Sequence, residues 1–188
     1  MARIARAVVP GAPHHVTQRG ARKMQVFFSP EDYTLYLEIL EQQASRHGVA
    51  FWAYCQMPNH VHLVAVPESE ASLARALGEA HRRYAERTNR RHGWRGHLWQ
   101  ERFWSFAVDE RAVLAVARYV LLNPVRAGLV DRVEAWPHSS AAAHLGLGAA
   151  SLIDPEPLAR RIGDWRSWLE GRGGGTEAER VRRHTASG

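Results

Sequence analysis

Lysine is all but missing from this chain, and paired cysteines and long apolar runs are missing altogether. One cysteine, Cys55, cannot form an intramolecular disulfide, so a reducing, cytoplasmic setting is expected. No segment approaches the roughly 20 consecutive apolar residues of a membrane span. The opening MARIARAVVP lacks the long apolar core of a secretory signal, and a soluble protein with no membrane partner is expected. With Lys23 as the only lysine, arginine carries nearly all of the positive charge behind a net balance of +6. That balance points to a polyanion, either nucleic acid or an acidic membrane surface. Arginine's planar fork suits bidentate phosphate contact and stacking on bases. A GC-rich coding bias explains arginine in place of lysine, but its clustering needs another reason.

What is present suffices for a folded domain. The 188 residues are 45% hydrophobic, which fits one ordinary domain or one domain with an extension. A short strand is expected across residues 13–19, broken by Gly20. Ser29, Pro30 and Asp32 then read as a capped helix start, and Tyr33, Tyr36, Leu37, Leu40 and Ala44 recur at helical spacing until Gly48. Strands are expected at 49–54 and 60–66, with a turn at Met57, Pro58 and Asn59 between them. A helix at 69–91, a strand at 103–108 and a helix at 109–122 follow.

The order β-α-β-β-α-β-α describes an α+β chain, the ferredoxin-like split β-α-β with one extra helix. Its antiparallel sheet is expected to carry helices on one face and to leave the other open to a ligand. A catalytic domain is expected over residues 1–140 and an extension over 141–188. Within the extension a short helix between 152 and 169 is expected to pack back, and the glycine-rich end from Gly171 is expected to be disordered.

Three groups of residues carry candidate chemistry. His60 and His62 are two apart on an expected strand, so both leave the same face and could share one metal ion. Solvated or core histidines are the alternative, though bare imidazoles heading an apolar strand would be poorly satisfied. Tyr119 and Asn123 are i, i+4 neighbours at the edge of an apolar arc of Val113, Val116, Ala117, Val120 and Leu121. They could equally be a boundary aromatic and a helix C-cap, and Pro124 disfavours helical geometry at Asn123. Arg82, Arg83, Arg87, Arg90, Arg91, Arg95 and Arg102 are interleaved with Tyr84, Trp94 and Trp99. Arginine neutralises phosphates while aromatic faces stack on unpaired bases, so this stretch reads as a nucleic-acid surface, with Arg19 added to it. A solvated helix face is the bland reading. His14 or His15 could lie near a metal, with a structural role expected for at least one.

Three motifs occur in order: MPNHVHL at 57–63, RYVLLNPVRAGLV at 118–130 and WPHSS at 136–140, with support from HHVTQRG at 14–20 and GHLWQERF at 96–103. Together, over about residues 10–140, they resemble the single-tyrosine (Y1, HUH-type) transposases of the IS200 type, in the branch associated with repetitive extragenic palindromes. The resemblance implies that His60 and His62 are metal ligands, that Tyr119 is the nucleophile, and that Asn123 is a third ligand where insertion-sequence enzymes carry glutamine. It also implies Mg²⁺ or Mn²⁺, a hairpin-forming single-stranded DNA substrate, a 5′-phosphotyrosine intermediate and work at the nucleoid. One departure is the extra histidine of the last motif, His138.

Two other readings stand beside this one. A non-catalytic, ferredoxin-like nucleic-acid-binding module would leave the histidine pair without purpose. A metal nuclease acting through water would leave Tyr119 structural. A monomer is expected in preference to a dimer completed in trans.

Overall fold

The computed structural model describes residues 7–149 and 151–171. Four strands, β1 (His14–Arg19), β2 (Val49–Met57), β3 (His60–Pro67) and β4 (Trp104–Ala107), form one antiparallel sheet in the order β2-β3-β1-β4. This is the expected α+β, ferredoxin-like arrangement.

Local chemistry fixes the first helix, α1 (Pro30–His47). Ser29 and Asp32 form a reciprocal capping box, Pro30 takes the first turn, and Gly48 ends the helix at φ 64°. Losing such a cap costs about 1 kcal/mol. The second helix, α2 (Ser72–His92), buries Leu73, Leu77, Ala80 and Tyr84. Both helices cover the face of the sheet that carries Val16, Val61, Leu63 and Ala65, forming the larger core.

The opposite face is open only in part, and not across β2 and β3. Helix α3 (Val113–Leu121) lays Val113, Val116, Ala117, Val120 and Leu121 against Ala53, Cys55 and Val64 of β2 and β3. Its stripe is too apolar to stay in water; fully burying such a side chain is worth about 1.5–3 kcal/mol. The helix begins four residues later than the periodicity suggests, because Asp109 accepts from the Arg111 and Ala112 amides in a turn before it. It breaks at Leu122, and Asn123 opens a separate turn, α4 (Asn123–Arg126). Pro124 supplies the reason, since it has no N–H to continue the ladder.

Beyond that turn the chain closes the sheet's free edge. The His138 carbonyl accepts from the Gln56 amide at 2.8 Å, and Ser140 Oγ accepts from the Tyr54 amide at 3.0 Å. The additional histidine, His138, stacks on Tyr33, with ring centroids 3.5 Å apart. Three short helices follow, α5 (Ala141–His144), α6 (Glu156–Ala159) and α7 (Trp165–Glu170). The expected helix between 152 and 169 is thus two helices, and Leu158, Ile162 and Leu169 join the core beneath α3. The expected glycine-rich end lies outside the described residues, apart from Gly171.

Candidate active site

Strand register assembles the site. Antiparallel partners share a face, so His60 lies beside Arg19 and Met57, and His62 beside Thr17 and Cys55. His15 is one step further along β1, opposite Val64 and Phe106. The rings of His60 and His62 are 4.9 Å apart and nearly perpendicular. His15 Nε2 meets His62 Nδ1 at 3.1 Å, with the two rings within 4° of parallel. His14 turns to the other face, where its ring bonds the Ala12 carbonyl at 2.9 Å. Of the two neighbouring histidines, only His15 belongs to the site.

Helix α3 brings Tyr119 over this face. Its ring lies 5.6 Å from His62 and 5.9 Å from His15, edge-on to both. Arg126 reaches back from α4, with its guanidinium carbon 4.0 Å from the Tyr119 ring centroid. Asn123 joins the site through the same residue: its amide nitrogen donates to the Tyr119 carbonyl at 3.4 Å.

Burial, with Arg19 as the lesser cause, lowers the His60 pKa to about 4. His62 is held well below its ordinary value, first by burial and then by the neighbouring His60, His15, Arg126 and Arg19. Both imidazoles are therefore neutral at pH 7, the form that binds metal. Among the described residues no three His, Cys, Asp or Glu side chains are grouped to hold an ion. Two imidazoles fit one borderline divalent ion only if an amide oxygen, water and substrate complete the shell.

The basic surface divides. Arg82 and Arg83 are tied to Glu79, Arg82 also to Glu86, and Arg91 to the buried Asp32 at 2.5 Å. Arg87, Arg90, Arg95 and Arg102 are exposed, and Arg19 is half-buried beside His60. Trp94 is 40% exposed and stacks on His92 at 4.4 Å, with Phe28 at its edge. Trp99 offers no face to a base. It is 7% exposed, donates its indole N–H to the His81 carbonyl at 3.0 Å, and packs with Tyr36 and Tyr84.

One aromatic went unnoticed in the sequence. Trp104 is 42% exposed on β4, paired with Thr17 on the face that carries His62. The signal available was alternation along the strand, which places residues 104 and 106 on one side.

Among known proteins, a family model described as "Transposase IS200 like" matches residues 9–123. A Haemophilus influenzae protein described as a REP-associated tyrosine transposase is 31% identical over 101 residues, 47% of this chain and 56% of that relative. The chain thus spans little more than half the length of the curated relative it matches. A solved structure of a REP-associated tyrosine transposase bound to a REP hairpin superposes with a TM-score of 0.61. That match covers 82% of this chain and 98% of the other at 19% identity, a likeness of fold.

Proposed function

The chain belongs to the IS200-like transposase family, and on that premise we propose that it cuts and rejoins single-stranded DNA through a covalent bond to Tyr119. The observation that carries the reading is the convergence of Tyr119 from α3 on His62 from β3, at 5.6 Å, within one chain. In the cleavage step, the Tyr119 oxygen attacks the scissile phosphorus in line. The bond to the 3′ oxygen breaks, the phenol proton is lost, and a free 3′-OH departs, leaving a 5′-phosphotyrosine. One phosphodiester replaces another, so attack by a second 3′-OH restores the strand without a nucleotide cofactor.

His60 and His62, with Asn123, would hold Mg²⁺ or Mn²⁺. When bound, such an ion supplies Lewis-acid polarisation of a non-bridging phosphate oxygen. Arg126 holds the tyrosine ring, and Arg19 adds positive charge beside His60. The substrate proposed is a strand folded into a hairpin of REP type, cut in its unpaired flank, where the backbone can bend toward Tyr119. Exposed Arg87, Arg90, Arg95 and Arg102 supply phosphate contacts, and Trp94 a stacking face. The catalytic unit would run to about residue 140, with 141–171 bracing α3 from behind. A monomer acting at the nucleoid suffices, because Tyr119 meets the histidines of its own chain.

The test mixes protein with end-labelled hairpin oligonucleotides and Mn²⁺ on a denaturing gel. A protein-linked DNA band is expected, absent with Tyr119→Phe and with a chelator. Cleavage that persists in Tyr119→Phe without a linked band would replace this reading with a nuclease that uses water. DNA binding unaffected by His60→Ala, with no cleavage of any hairpin, would favour a binding module.

A further inference from the structure

Each of the paired histidines has a polar partner at the same ring atom. Asn59 Oδ1 lies 2.6 Å from His60 Nδ1. The orientation of that amide is set from its other side, because Asn59 Nδ2 donates to the Lys23 carbonyl at 3.0 Å. An amide oxygen can only accept, so His60 carries its proton on Nδ1 and leaves Nε2 bare. The Lys23 carbonyl is itself aimed by an unusual turn. Arg22 and Lys23 are left-handed at φ 54° and 62°, which residues other than glycine rarely adopt. Gly20 lets the turn close, since a Cβ there would meet the Met24 carbonyl oxygen at 2.2 Å.

On the second ring, the partner of Nδ1 is His15 Nε2 at 3.1 Å. Two neutral imidazoles can share that bond in two ways. A proton on His62 Nδ1 leaves the His62 Nε2 lone pair free; a proton on His15 Nε2 forces the His62 proton onto its own Nε2. Only the first lets His62 ligate through Nε2, and it requires His15 to keep its proton on Nδ1.

We propose that Asn59 and His15 are positioning residues that hold His60 and His62 as Nδ1–H tautomers, so that both Nε2 lone pairs face one divalent cation before DNA arrives. The inference rests on the metal site proposed above. Neither residue touches the scissile phosphate; each acts through the imidazole it orients. The left-handed turn at Arg22 and Lys23 is part of the device, because it presents the carbonyl that fixes Asn59.

The test needs no substrate. Mn²⁺ binding to the DNA-free protein is measured by electron paramagnetic resonance, and ¹⁵N NMR reports which nitrogen of each ring is protonated. Both rings are expected to carry Nδ1–H in the wild-type protein. His15→Leu and Asn59→Ala are each expected to weaken Mn²⁺ binding by about 10–100-fold. His15→Gln, whose amide oxygen takes the place of Nε2, is expected to restore binding to within about threefold of wild type. If His60→Ala binds Mn²⁺ as tightly as wild type, the metal site itself is wrong. If His60→Ala loses the ion while folded His15→Leu and Asn59→Ala bind it normally, the site stands and the positioning role is overturned. An Nε2–H on either ring of the wild-type protein overturns it as well.

Discussion

Arg126 grips Tyr119 twice, at the ring, 4.0 Å from its centroid, and at the backbone, where Nη2 donates to the carbonyl at 2.9 Å. Both contacts cross the break between α3 and α4. The break thus places a cation where an unbroken helix would have carried the side chain past the ring. Arg126→Met keeps the length and loses the charge and the donors. Since misplacing a reacting group by about 1 Å costs on the order of 100-fold, adduct formation in a single turnover is expected to slow by about 10–100-fold. Hairpin affinity should hold. An unchanged rate would mean that α3 alone holds Tyr119 in place.

Trp94 and Trp99 should separate binding from stability. Trp99→Ala empties a core position and is expected to cost about 3–5 kcal/mol, read as a lower urea midpoint. Trp94→Ala should stay within about 0.5 kcal/mol in stability yet weaken single-stranded DNA binding by about 1–3 kcal/mol. The reverse pattern would place the stacking face at Trp99.

Trp104 stands beside Thr17 on the face that carries His62, and Trp104→Ala is expected to weaken binding of an unpaired flank by about 1–3 kcal/mol. Affinity for a hairpin without that flank should not move. Among the arginines, Arg95→Ala is expected to lower the slope of log affinity against log salt by about 0.7, the value for one phosphate contact on a single strand. Arg82→Ala should leave the slope alone, because Glu79 and Glu86 already occupy that guanidinium. Titrations across a salt series decide both.

His144 gives the extension a pH dependence. Its ring is buried and stacks on Trp165 at 4.3 Å, and burial lowers its pKa to about 4 from 6.5. Below pH 6.5 the unfolded chain takes up the proton first, so stability present above that pH declines as pH falls toward 4. The loss attributable to this group approaches about 3 kcal/mol at the bottom of the window. His144→Phe should flatten part of the acid limb of a melting-temperature series between pH 7 and 4. Identical limbs in both proteins would remove His144 from the account.

How much of this was legible depends on the range of each interaction. Ser29, Asp32 and Gly48 announce α1 because a cap is chemistry between residues a few positions apart. The motifs around His62 and Tyr119 named their candidates by resemblance, and the fold brought those two rings together. His15 could not be chosen over His14 from sequence, because only the register of β1 against β3 says which faces His62. Trp99 reads as a nucleic-acid contact because it sits among arginines. What buries it is a bridge to Gly20 and a cluster with Tyr36 and Tyr84, contacts far along the chain. The covered sheet face escaped notice for the same reason, since α3 shows its apolar stripe but not what that stripe rests on.

Arg118, next to Tyr119, donates Nε to the Trp168 carbonyl at 3.0 Å and Nη2 to those of Leu169 and Gly171. During synthesis, those carbonyls leave the ribosome long after Tyr119 does. A nascent chain would therefore carry its histidine pair and its tyrosine before the backing of α3 exists. A frameshift or premature stop within the extension would leave Tyr119 on a helix without that backing. The order of translation would thus delay the proposed strand-breaking activity until nearly the whole described chain has been made.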